Sequence, residues 1–404
     1  MNGVARDVAV IIGFAESFSA PEVVWSLVDC GFRVFAFARR RSRAAIRVSR
    51  HVRIIDLTSP EEDAGATIDE LASEMKRLLT HQTTRLAVLP LDDAAVWICD
   101  RIAPRQGVIM VGPGKSKVEF GLCKEEQVAT ARKAGFHVPD TLVVHDERDW
   151  NALTIAPPMV LKPSRAVSFR GGRLIKDRFV ICRSILELKS AIRPSGFSEV
   201  TLVQQHISGV GEGLFGLASP RGVLAWSAHR RIRMMNPLGS GASACISIAA
   251  DPADIAPATR LMDLISWRGP FMIELLRDSH GKAWFMEFNG RVWGSTALAR
   301  RCGLEYPAWA VLEAIGEGKN IPERPQTPMG VVCRHAGRET LHALFVLRGP
   351  RSKSCNQWPT KWGTLRQLFR FRRSEHWYNW RRDDWRVFFQ DFVATIGDAV
   401  SKKR

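Results

Sequence analysis

An α/β fold is predicted for this 404-residue chain: a parallel, Rossmann-like domain over residues 1–113, a mixed α+β body over 114–320, and a linker with a basic helical appendage over 321–404. Three observations predict it. Short β-branched runs alternate with helical stretches through the first hundred residues, the pattern of parallel strands with helices crossing over them. Closely spaced strands with few helices between them follow from Thr141. Past Pro322 the composition shifts: Pro322, Pro325 and Pro328 mark a linker, and residues 334–404 carry 16 Lys/Arg against 6 Asp/Glu.

In the first domain Val8 to Ile12 reads as a buried strand stopped at Gly13, Pro21 to Cys30 as a helix and Arg33 to Phe37 as the next strand. Val52 to Asp56 and Leu86 to Leu91 are further strands, separated by an amphipathic helix over 68–79. The domain ends near Val111-Gly112-Pro113. Lys124 to Gly135 reads as a helix stopped by glycine. Strands at Thr141 to Val144, Met159 to Lys162 and Phe179 to Cys182 surround a loop over Ser164 to Gly172. Leu202 to His206, Leu214 to Ala218 and Val223 to His229 read as antiparallel strands; helix 254–266 precedes a hairpin and helix 294–302 follows it.

Composition limits the function classes. Hydrophobic residues at 46% and charged residues at 25% describe an ordinary globular protein. No apolar run approaches the roughly 20 residues that span a bilayer. Eight cysteines (30, 99, 123, 182, 245, 302, 333, 355) form no C-x-x-C pair, which argues against a zinc site or disulfide framework and for a reducing cytoplasm. The net charge of +17 attracts anions of many kinds, but much of the surplus sits in the C-terminal segment. There Trp358, Trp362, Trp377, Trp380 and Trp385 lie among arginines. A packed helical appendage is expected from the usual burial of tryptophan; nucleic-acid binding is the less favoured alternative, since no module for it is recognisable.

Two phosphate-loop motifs fail. Gly112-Pro113-Gly114-Lys115-Ser116 ends like a Walker A loop, but the glycine needed five places before Gly114 is Ile109, so a turn between domains is the better reading. No G-x-G-x-x-G follows the first strand.

The chemistry concentrates in Phe271 to Arg291, FMIELLRDSHGKAWFMEFNGR. A turn over Asp278 to Lys282, centred between His280 and Gly281, pairs position 274 with 287 and sets Glu274 opposite Glu287. Opposed carboxylates destabilise a hairpin unless a cation lies between them. Alternation along the strand puts Glu287, Asn289 and Arg291 on one face and Met286 and Phe288 on the other. Two carboxylates and a carboxamide oxygen suit magnesium, and Arg291 can hold a phosphate or carboxylate bidentately. A solvated face on an edge hairpin is the alternative.

Met286-Glu287-Phe288-Asn289-Gly290-Arg291 resembles the Glu-x-Asn-x-Arg element of the ATP-grasp ligases, a group that includes D-alanine–D-alanine ligase, biotin carboxylase and the large subunit of carbamoyl-phosphate synthase. The resemblance covers about residues 1–320 in the family's order: a Rossmann-like pre-domain, then an ATP-grasp domain whose two α+β lobes, about 114–200 and 201–320, clasp ATP. It implies that Glu274, Glu287 and Asn289 ligate magnesium on the ATP phosphates, and that Arg291 stabilises the transferred phosphoryl group. Lys162 and Lys124 match the family's two phosphate-contacting lysines, although a strand-end lysine and a first-turn lysine are common on any surface. Gln204-Gln205-His206-Ile207 resembles the adenine hinge, with Gln205 where relatives often have glutamate. Glu212 is implied as the ribose acceptor, with a loop carboxylate as the alternative. The phosphate-covering loop is glycine-poor, leaving Gly171 and Gly172 to present backbone N–H groups. Arg231, in a basic strand before the Asn236 to Ala244 loop, is the candidate for the substrate carboxylate or γ-phosphate.

The function so implied is an ATP-dependent, carbamoyl-phosphate synthase-like carboxylate–amine (or thiol) ligase with ATP and Mg2+ or Mn2+ as cofactors. It would take a small carboxylate and an amine, act in the cytoplasm and suit a homodimer. A nucleotide-binding sensor or assembly subunit on the same scaffold is the alternative.

Overall fold

The computed structural model describes residues 7–81, 85–114, 116–192, 200–237, 239, 241–323, 325, 327–350, 358–370 and 374–401. Lys115, Leu238, Ser240 and Cys355, singled out above, lie outside them.

The first domain runs β1 (Val8–Gly13), α1 (Ala20–Asp29), β2 (Arg33–Arg39), β3 (Val52–Leu57), α2 (Ala64–His81), β4 (Arg85–Pro90), α3 (Asp93–Gln106) and β5 (Ile109–Met110). Its sheet is parallel in the order β3-β2-β1-β4-β5. Every residue of β1 is buried, as expected of a strand whose two faces are both covered by helices. Strand order reverses beside β1, so the loops after β1 and β4 part there and leave a crevice at the strands' C-terminal ends. Asp92 caps α3 in that crevice, its carboxylate accepting from Ala95 N–H at 2.7 Å.

A small lobe follows: α4 (Ser116–Leu122), α5 (Lys124–Ala134), β6 (Thr141–Val144), β7 (Met159–Pro163), β8 (Ser168–Arg170), β9 (Arg173–Ile175), β10 (Val180–Cys182), α6 (Ile185–Ile192) and β11 (Thr201–Gln205). Four of its strands pair antiparallel in the order β10-β7-β11-β6, and β8 and β9 form a separate hairpin.

The large lobe contains β12 (Val210–Ser219), β13 (Gly222–Met234), β14 (Ala242–Ile248), α7 (Pro252–Ile265), β15 (Gly269–Arg277), β16 (Ala283–Asn289), α8 (Thr296–Arg301) and α9 (Tyr306–Ala314). The C-terminal segment adds β17 (Val332–Arg334), α10 (Ala336–Arg348), α11 (Lys361–Phe369), β18 (Glu375–Trp377) and α12 (Arg386–Ser401). It is helical, as expected, but Trp362, Trp380 and Trp385 are exposed rather than buried, and it also supplies two strands to the seven-stranded sheet β16-β15-β12-β13-β14-β17-β18. Those strands are three residues each and lie among charged residues, too short to leave a periodic signal. Strand β14, ASACISI, also escapes a sequence reading because small residues carry little strand propensity.

The large sheet buries one face against α5 and α7 through Leu214, Ile273, Leu275, Phe285 and Phe288. Its other face packs Phe215, Leu217 and Met272 into the core shared with α1 and α9. No helix among the described residues is long and apolar enough to cross a membrane. The seven cysteines among the described residues are free thiols.

Candidate active site

Glu274 and Glu287 are direct cross-strand partners, as the turn predicts. The register is reached by an unexpected route. Arg277 pairs with Ala283 and Leu275 with Phe285, which centres the turn on His280, and one extra residue, Met286, bulges out before Glu287. The bulge lets Phe285 and Phe288 both enter the core while Glu287 stays on the open face with Glu274. Simple alternation had put Met286 with Phe288; the bulge gives that place to Phe285.

Cations attend each of these polar side chains. Glu274 Oε1 accepts from Arg231 Nη2 at 2.7 Å, and Glu287 Oε1 lies 3.3 Å from Lys124 Nζ. Asn289 Oδ1 accepts from Arg291 Nη2 at 3.1 Å, and Arg291 Nε donates to Asp93 Oδ1 at 2.7 Å. Arg231 reaches Glu274 by crossing β12 at Gly211, where a Cβ would meet its Cδ at 2.8 Å.

Lys162 is the penultimate residue of β7 and is buried, donating to Gln204 Oε1 at 2.8 Å. Gln204 Nε2 in turn donates to Thr141 Oγ1 at 2.9 Å, so this glutamine aims the lysine. Burial pushes the Lys162 pKa down to about 8, with Lys124 adding to the shift and Glu287 and Glu274 opposing it. Gln205 ends β11, and His206 and Ile207 open the crossover to β12 between the lobes. Gln205 N–H donates to Asp140 C=O at 2.8 Å and His206 N–H to Pro158 C=O at 3.3 Å.

Glu212 turns the other way. Gly213 pairs with Glu274 and His229 in the ladder, so its neighbour Glu212 points through to the α7 face. There its buried carboxylate accepts from Arg230 Nε at 2.8 Å and Arg277 Nε at 2.7 Å, and Arg277 reaches Asp254 on α7 at 2.5 Å. The ribose role implied by resemblance therefore lacks its geometry. Gly171 and Gly172, at φ 54° and 79°, make the two-residue turn of the β8–β9 hairpin, a backbone that disfavours other residues. That hairpin docks on the first domain: Gly172 C=O accepts from Ala64 N–H, and Leu174 N–H donates to Pro60 C=O, both at 2.8 Å.

Two further residues escape a sequence reading. Asp93 accepts from Lys176 Nζ at 2.8 Å as well as from Arg291, joining the first domain, the small lobe and the large lobe. Burial alone would raise its carboxyl, but Arg291 and Lys176 hold it well below the usual range. Gln127 on α5 grips the Phe288 peptide from both sides, Nε2 donating to its C=O at 3.0 Å and Oε1 accepting from its N–H at 3.1 Å. It thereby holds the backbone between Glu287 and Asn289. Gln127→Ala is expected to cost about 2 kcal/mol in chemical denaturation, because two buried backbone groups lose their partners.

Among the described residues no cluster of three or more His, Cys, Asp or Glu could hold a metal ion. The two carboxylates and one carboxamide oxygen nevertheless fit a hard dication that draws its remaining ligands from phosphate oxygens and water.

No family model matches the chain, and no curated protein matches its sequence. Solved structures do match its fold. The biotin carboxylase domain of Hydrogenobacter thermophilus 2-oxoglutarate carboxylase, in complex with MgADP, ADP and bicarbonate, superposes with a TM-score of 0.61 at 15% identity, over 81% of this chain and 73% of that one. The N5-carboxyaminoimidazole synthetase of Staphylococcus aureus, complexed with ADP, gives 0.59 at 12% identity over 81% and 82%. The L-amino acid ligase of Bacillus licheniformis gives 0.57 at 17% identity over 78% and 77%. With a parallel first domain, two lobes joined at residues 206–209 and an acidic hairpin in the larger lobe, the chain has the ATP-grasp fold.

Proposed function

We propose that this protein is an ATP- and Mg2+-dependent ligase that activates a carboxylate as an acyl phosphate for attack by an amine or thiol. The observation that carries this reading is the pairing of Glu274 with Glu287 beside Asn289, ringed by Lys124, Lys162, Arg231 and Arg291. Such a ring of cations around two carboxylates suits phosphoryl transfer, where catalysis is chiefly charge neutralisation and alignment. Similar folds solved with ADP and with MgADP support the same choice of ligands.

In this reading Glu274, Glu287 and Asn289 hold magnesium, which supplies charge neutralisation to the nucleotide phosphates. Lys162 and Lys124 grip phosphate oxygens, and the crossover at Gln205, His206 and Ile207 receives the adenine edge. Arg231 holds the substrate carboxylate in line with the γ-phosphate. Arg291, fixed by Asp93, faces the charge that develops as an acyl–phosphate bond forms and the bond to ADP breaks. The nucleophile then attacks the acyl carbon, and inorganic phosphate leaves. The free thiols suit a reducing cytoplasm, and the dimer of the Hydrogenobacter domain supports a homodimer.

The test is ADP release across a panel of carboxylates and amines, with hydroxylamine added to trap the acyl phosphate as a hydroxamate. Turnover that needs Mg2+ and yields hydroxamate is expected. Nucleotide binding with no phosphate release across the panel would favour a sensor instead. A pH series adds a second check. Because Lys162 loses its proton near pH 8, KM for ATP is expected to climb above about pH 8. Lys162→Arg should flatten that rise, since a guanidinium keeps its charge.

A further inference from the structure

The C-terminal segment does more than extend the sheet. Arg338, in the first turn of α10, stacks on the ring of Phe18, its guanidinium carbon 3.8 Å from the ring centroid. Its Nη1 donates to Ala242 C=O on β14 at 3.1 Å. Among the described residues it has no carboxylate in salt-bridge contact, whereas the carboxylates around it each serve other groups. Glu339 serves Arg233 and Arg334, Glu375 serves Arg334, and Asp391 serves His335 and Asn379. Asp391 lends Arg338 some charge support from a distance, but a half-buried guanidinium with no carboxylate in contact still has room for an anion from outside.

Its position says which one. Arg231 pairs with Cys245 on β14, and paired residues share a face, so the route from Glu274 through Arg231 to Cys245 follows one side of the large sheet. Arg338 sits at the far end of that route; burial lowers its pKa, Asp391 opposes the shift, and Arg231 is close enough to add a little to it. Phe18 lies in the loop after β1, at the crevice of the first domain, and also abuts Gly294, three residues past Arg291. Arg231, which also donates to Glu274, is assigned above to the reacting carboxylate. Arg338, one strand farther out, is free to take a second anionic group.

We propose that Arg338 binds a second anionic group of the acceptor, so that the preferred substrate is a dicarboxylate held between Arg231 and Arg338. This rests on the ligase reading of the Glu274–Glu287 site. It also makes the C-terminal segment part of the substrate site, a contribution that the sequence assigned only to residues before 320.

The experiment is isothermal titration of glutarate and of butyrate into the full chain saturated with Mg2+ and a non-hydrolysable ATP analogue. Wild-type protein is expected to bind glutarate about tenfold or more tighter than butyrate, the worth of one charge-assisted contact. Arg338→Ala should erase that preference and leave affinity for the nucleotide analogue unchanged, which also reports that the variant is folded. Arg338→Lys should restore part of the preference. No glutarate preference in the wild type, or one that survives in Arg338→Ala, overturns the proposal. Failure of the ligase reading would register separately, as absence of Mg-dependent analogue binding before any acid is added.

Discussion

Glu287→Ala is expected to lower ADP release by about a thousandfold or more, some 4 kcal/mol of transition-state stabilisation. Glu287 is the electrostatic centre of the site. It faces Glu274 across the hairpin, lies 3.3 Å from Lys124 Nζ, and favours the charged forms of Lys162, Arg231 and Arg291. On the proposed reading its removal takes away a metal ligand, and it leaves those cations to repel one another. Glu287→Gln keeps the volume and one oxygen donor, so it should bind magnesium weakly and recover only part of the rate. Steady-state turnover at saturating ATP, with Mg2+ varied, separates the two variants. Full turnover in Glu287→Ala would end the assignment.

The second large effect is expected at Asp93, which no motif marks. Asp93→Ala strips Arg291 and Lys176 of their shared carboxylate, so two cations lose their partner in a confined place. Breaking a buried pair from one side costs about 3 kcal/mol of stability. Turnover should fall about a hundredfold or more, because Arg291 would no longer be aimed. Chemical denaturation and kcat measure the two losses independently. The pH dependence of the stabilising contact follows from the depressed carboxyl. It is fully present above the unfolded carboxyl's pKa of about 4 and is lost as pH falls below that, through the lower folded value. At neutral pH it is intact.

Much of the site was legible because its logic is local. Two apolar runs around Asp278 to Lys282 required a hairpin, and a hairpin required Glu274 to meet Glu287. Lys124 and Lys162 were legible as the start of a helix and the end of a strand. The bulge at Met286 was not, since nothing in FMEFN marks an unpaired residue. Gln127 and Asp93 act across 161 and 198 residues of chain, and contacts at that separation leave no spacing to read. Glu212 is a different case. Its motif suggested the nucleotide side, but strand alternation already sends residues 212 and 213 to opposite faces, and the ladder decides between them. Resemblance supplied the residue, and pleating decided its direction.

The late strands of the large sheet bear on how the protein is made. While a chain grows on the ribosome, β14 presents an open edge until residues 332–334 arrive to pair with it. Until then the wall that carries Arg231 borders a strand able to recruit other chains. Trp25 Nε1 donates to Asp384 at 2.9 Å, so α1 too waits for a partner more than three hundred residues downstream. The wall that carries Arg231 is thus completed only after residue 334 has been made, and a nascent chain stalled before that residue should depend on chaperones.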